Sequence, residues 1–135
     1  MKKITVAICL DDELGMMFNK RRQSRDRVLI HELIDSTEGP IHIHPYSSML
    51  FGECERIRVS DDPLKSCGDG ELAFIEHLPL LSHLSDIETL IVYRWNRLYP
   101  ADKYLDIDIS SFKLTLEYEF EGSSHEKITK GIYTK

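Results

Sequence analysis

Apolar positions follow two rhythms along the 135 residues. Ile4–Leu10, "ITVAICL", is a nearly continuous apolar run closed by "DDELG", the pattern of a strand buried on both faces. A loop around Gly15 is expected next. "SRDRVLIHELIDST" then places Leu29, Ile30, Leu33 and Ile34 at helical spacing. This predicts a helix over residues 25–36, with Ser24 available as N-cap and Asp26 in the first turn. "EGP" turns the chain into a short strand, Ile41–His44. "PYSSMLFGE" supports a short helix and Arg56–Ser60 a third strand.

Asp61–Gly70, rich in turn formers, reads as an exposed loop. After it, "LAFIE" looks like a strand, "LPLLSHLS" like a helical turn or two, and Glu88–Trp95 like another buried strand. "FKLTLEYEF" puts Phe112, Leu114, Leu116, Tyr118 and Phe120 on one face by strict alternation. "EGSSH" then turns into "EKITKGIYT", a candidate antiparallel partner. Early strands interleaved with helices and a terminal hairpin predict a three-layer α/β fold. Its sheet is mixed and ends in a C-terminal antiparallel hairpin, and residues 1–135 read as a single domain.

Composition changes this picture little. Hydrophobic residues make up 41% and charged residues 30%, the balance of an ordinary globular protein. The longest apolar runs are too short to span a bilayer, and acidic residues soon interrupt the N-terminal run, without a small-residue cleavage site. The expectation is a cytoplasmic protein with no membrane contact. Cys9, Cys54 and Cys67 contain no C-x-x-C pair, which argues against a disulfide framework or zinc knuckle. His42 and His44 alternate on one strand face without a nearby acidic or Cys partner in sequence, so no metal is expected.

Charge is more informative. The net charge is −6, yet "FNKRRQSRDR", Phe18–Arg27, holds five of the seventeen Lys and Arg. Such segregation suggests a local anion site. Asn19, Arg21, Arg22, Gln23 and Ser24 precede the expected helix N-terminus, where unpaired N–H groups and the helix dipole favour an anion. "YRWNR" ends a buried strand. Arg94 and Asn96 are expected on one face, with Tyr93, Trp95 and Arg97 on the other, so Arg94, Asn96 and Arg97 are candidates to complete the site. Trp95 fits either a core position or a stacking platform.

"GSSHEKIT" offers His125 as general acid or base, Glu126 as its orienting carboxylate and Lys127 as a cation. Adjacent strand residues face opposite ways, so the three line one pocket only if a bulge redirects them. No Ser-His-Asp or Cys-His order, phosphate-cradling Walker loop or DNA-reading helix stands out.

Both ends of the chain resemble dihydrofolate reductase. "VAICLDDELGMMFN" is similar to that family's first strand and loop, "STEGPIHIHPYSSMLF" to its second strand and following helix, and "YLDIDISSFKLTLEYEFEGSSHEKITKGIYTK" to its last hairpin. The resemblance implies that fold, with Asp26 at about the place of the family's active-site carboxylate. It also marks departures. The paired-glycine turn that approaches the cofactor phosphates has no counterpart. The Gly-Arg-x-Thr after the second strand is replaced by His44, Pro45, Tyr46 and Ser47, and the Pro-Trp of the substrate loop by "KRRQS". "GMMFNKRRQS", "YRWNR" and "GSSHEKIT" further resemble short bacterial proteins sometimes labelled ribonuclease Z, whose metallo-β-lactamase His-x-His-x-Asp-His is absent here.

The expectation is therefore a shortened reductase-like scaffold without a cofactor. It binds an anionic small molecule or nucleotide, or an RNA or protein partner. Two alternatives stand beside it: a metal-independent ribonuclease or phosphodiesterase using His125, with Asp26 and Glu126 in support, and an acidic inhibitor that blocks a nucleic-acid-binding partner.

Overall fold

The computed structural model describes residues 2–135. Its strands are β1 (Ile4–Leu10), β2 (Gly15–Phe18), β3 (Arg21–Arg22), β4 (Ile41–Ile43), β5 (Ile57–Val59), β6 (Leu72–Phe74), β7 (Ile87–Arg94), β8 (Lys103–Tyr104), β9 (Lys113–Phe120) and β10 (Ile128–Thr134). Helices α1 (Arg27–Asp35), α2 (Ser48–Phe51) and α3 (Pro63–Ser66) connect them, with 3₁₀ turns at Pro45–Ser47, Leu81–Asp86 and Ile109–Ser111. The main sheet has the order β5-β4-β6-β1-β7-β10-β9. Its first five strands are parallel, and the C-terminal hairpin adds β10 and β9 antiparallel.

The continuous apolar runs become central strands because both faces of the sheet are covered. On one face Val6, Ile8, Leu10, Leu90 and Val92 pack with Leu64, Leu80 and Phe112. On the other, Ala7, Phe74, Ile91, Tyr93 and Trp95 pack with Leu29, Ile30 and Leu33 of α1. Each face removes its apolar area from water at roughly 25 cal/mol per Å², so β1 needs no polar alternation. β9 differs from the alternation expected of it. It is an edge strand, and Leu114, Leu116 and Tyr118 stay exposed.

The loop expected at Gly15 is a second small sheet, β3-β2-β8. Asn19 and Lys20, at φ 51° and 61°, form the two-residue turn between β2 and β3. Positive φ at both central residues suits the right-handed strand twist. The sequence signal is weak because Lys stands where glycine usually follows Asn. Arg21 and Arg22 are thereby strand residues with opposite orientations, Arg21 exposed and Arg22 half-buried.

A buried carboxylate–imidazole–hydroxyl cluster as candidate site

Helix α1 begins two residues later than the pattern suggests, and its cap is Asp26 rather than Ser24. The Asp26 carboxylate accepts from Val28 N at 3.0 Å and Leu29 N at 3.2 Å. Arg27 N donates to Ser123 Oγ at 3.0 Å. The helix N-terminus is therefore occupied by the chain's own carboxylate and a serine hydroxyl, which corrects the expectation of free N–H groups awaiting an external anion.

Asp26 also gathers the turn between β9 and β10. Ser123 N donates to it at 2.9 Å and Ser124 N at 2.8 Å, and His125 Nδ1 lies 3.0 Å from Oδ2. Both side chains are almost fully buried. Burial opposes ionisation of Asp26, but the bonds from His125, Ser124, Ser123 and Leu29 outweigh it and hold the carboxyl well below the usual carboxylate range. An ionised carboxylate only accepts, so His125 Nδ1 carries a proton, and in the neutral tautomer that this selects, Nε2 is the ring's acceptor.

Two hydroxyls face that nitrogen: Ser24 Oγ at 3.1 Å and Tyr99 Oη at 2.9 Å. Trp95 stacks on the imidazole, with ring centroids 4.5 Å apart and planes 25° from parallel. The close approach needs Gly122, since a Cβ there would lie 2.3 Å from Asp26 Oδ2. Asp11 ties the flanking segments together. It accepts from Gly15 N at 2.7 Å and Gln23 Nε2 at 2.9 Å, next to Ser24, and more weakly from Tyr99 N at 3.4 Å. Ser24, Asp26 and His125 thus meet although 101 positions separate the first from the last. No spacing rule revealed that order, and Tyr99 carried no motif to single it out.

The other expected site residues divide. Arg22 is locked to Glu76, with Nε 2.8 Å from Oε1 and Nη2 3.1 Å from Oε2, and its guanidinium lies 4.5 Å from the Tyr46 ring centroid. Arg21 and Arg25 are exposed, and among the described residues neither forms an ion pair. With Arg22, Ser24, Tyr46 and Ser124 they line a groove of about 490 Å³. Arg97 and Glu126 line another, of about 420 Å³, across the Ser123–His125 turn. Asn96 holds that region by donating to Lys127 O at 3.1 Å and Thr129 Oγ1 at 2.9 Å.

Lys127 itself is exposed and pairs with Glu119, so it does not join His125. Arg94 faces away from Trp95 and bonds Tyr133 at 3.3 Å. Asn19 is a turn residue whose N–H donates to Asp102. His42, without an acidic or Cys neighbour in sequence, meets Cys67 and Glu71 in space, their ligand atoms all within 4.8 Å of one another. His42 and Glu71 bond directly at 2.7 Å, and burial pushes the Cys67 thiol up to about 12.

No protein-family model matches the chain, and no curated protein matches it in sequence. Among solved structures it is similar to the dihydrofolate reductase from Enterococcus faecalis complexed with NADP(H) and RAB-propyl. The TM-score is 0.69 at 7% identity, over 97% of this chain and 95% of that one. The fold is dihydrofolate-reductase-like. Beyond β4, Tyr46 N donates to His44 Nδ1 and Ser47 N to His44 O. Beyond β6, Glu76 is held by Arg22 and Ser47, and His77 packs edge-on against His44 and Tyr46. The cleft between β1, β6 and α1, lined by Cys9, Asp26, Leu29, Phe74 and Trp95, leaves a cavity of only about 20 Å³, about the room one water needs.

Proposed function

We propose that this protein binds a phosphate-bearing or otherwise anionic ligand, of the nucleotide class, on a reductase-like scaffold that does not carry out hydride transfer. The observation that carries the reading is the groove in which exposed Arg21 and Arg25, without ion-pair partners among the described residues, flank Ser24 and Ser124 in a protein of net charge −6. Two guanidinium groups across one groove suit bidentate contacts to phosphate or carboxylate oxygens. A local positive field in an acidic protein also steers anions to that spot and is screened by salt.

Arg22 is already paired with Glu76, so the informative variant is Arg21→Ala with Arg25→Ala. Thermal unfolding is followed with AMP, ATP and a short single-stranded RNA. A ligand at a hundredfold excess over its Kd stabilises the native state by about 2.7 kcal/mol. The expected result is a raised midpoint for the natural chain that is lost in the double variant and reduced by salt. Absence of a shift with all three probes, or an equal shift in the variant, overturns the reading.

A further inference from the structure

Hydrogen bonds link Ser24 to His125 Nε2 (3.1 Å) and His125 Nδ1 to Asp26 Oδ2 (3.0 Å). The imidazole and carboxylate are buried, while the serine opens onto the arginine groove. The ring is fixed three ways: by Asp26, by Trp95 stacked on its face, and by a turn that Gly122 alone permits so close to the carboxylate. A structural polar cluster needs no half-exposed hydroxyl at its outer end. A nucleophilic relay does, with nucleophile and base in hydrogen-bond reach and a third group orienting the base.

We infer that Ser24 is a nucleophile and that the protein hydrolyses a carboxylic ester bearing an anionic group, held by Arg21 and Arg25; the substrate's charge rests on the groove reading above. Ser24 Oγ bonds to the acyl carbon as its proton passes to His125 Nε2. The ester C–O bond then breaks, and His125 returns the proton to the leaving alkoxide. Water repeats the sequence on the acyl-serine, releasing the acid and restoring Ser24. Asp26 is a positioning residue that keeps the Nδ1–H tautomer and stays ionised throughout. The single lone pair of Nε2 takes one donor at a time, so Ser24 reacts when its O–H rather than that of Tyr99 occupies it, and the Tyr99 O–H turns to the oxyanion forming at the acyl carbon.

The test uses a fluorophosphonate probe with mass-spectrometric mapping. It adds turnover of 4-nitrophenyl butyrate, 4-nitrophenyl hydrogen succinate and bis(4-nitrophenyl) phosphate. The expected results are a single adduct on Ser24, faster turnover of the succinate than the butyrate, and loss of at least about 100-fold in rate in Ser24→Ala. Tyr99→Phe is expected to lose about 100-fold in kcat while still labelling at Ser24. Asp26→Asn keeps an acceptor for the helix cap but offers Nδ1 an NH₂ group; it lowers kcat at unchanged KM, which mere loss of stability does not do. Ser24→Ala replaces a half-buried surface hydroxyl and folds without rearrangement.

Lack of a Ser24 adduct, full activity in Ser24→Ala, or cleavage of the phosphodiester alone overturns the nucleophile. If Ser24 labels but Arg21→Ala with Arg25→Ala leaves the succinate preference intact, the groove reading fails and the nucleophile stands. If ATP still raises the midpoint in an unlabelled chain, the reverse holds.

Discussion

Replacing Asp26 by Ala removes the residue on which the N-terminus of α1, the Ser123–His125 turn and the imidazole converge. Loss of an N-cap costs about 1 kcal/mol. The Ser123 and Ser124 N–H groups, in an exposed turn, exchange the carboxylate for water, at about 0.5–1.5 kcal/mol each. The buried His125 Nδ1–H likewise loses its acceptor, at about 1–3 kcal/mol. These penalties overlap because the same carboxylate serves all three, so a total of about 3–5 kcal/mol is expected at pH 7.

The pH dependence has a definite sign. Asp26 is held below its ordinary value in the folded state. Its contribution is therefore fully present above the unfolded carboxylate pKa, near 4, and is lost as pH falls through that range toward the folded value. Urea unfolding of both chains between pH 7 and pH 3, with linear extrapolation to water, reads the difference directly. The stability gap should be wide at pH 7 and narrow steadily below about pH 4. A gap under about 1 kcal/mol at pH 7, or one that is constant across the range, refutes the assignment of Asp26 as the organising anion.

Two further outcomes rest on independent contacts. Gly122→Ala drives a methyl group to within 2.3 Å of Asp26 Oδ2 and 2.8 Å of Ile128 Cδ1, so the turn must lift off the carboxylate. A loss of about 2–3 kcal/mol is expected, with a changed Trp95 emission spectrum; a variant with natural stability and fluorescence contradicts the packing. Glu32 accepts from Tyr93, Tyr118 and the buried ammonium of Lys130, 3.0 Å away. Glu32→Gln strands that charge and should cost about 3 kcal/mol, while adding Lys130→Met restores part of it. Additive losses in the double variant exclude the coupling.

The apolar runs Ile4–Leu10 and Glu88–Trp95 and the spacing of Leu29, Ile30 and Leu33 were enough to place the central strands and the long helix, because burial acts on composition and period within a segment. The C-terminal hairpin was legible from the alternation along β9, although that edge strand leaves Leu114, Leu116 and Tyr118 exposed. The small sheet was not. Asn19 and Lys20 adopt left-handed backbone without glycine, and the geometry is held from afar by Asp102. In the site, His125, Asp26 and Ser24 were each identifiable as chemically capable, but the order that links them was not. Asp26 as the cap of α1, and its bonds to a turn nearly a hundred residues on, come from the hairpin folding back over the helix end. Which arginines stay free is decided elsewhere, where Arg22 meets Glu76 beyond β6. Local sequence sets the propensity and face of each element, whereas hydrogen bonds between distant segments, the pairing of Arg22 with Glu76 among them, exist only after the chain has packed.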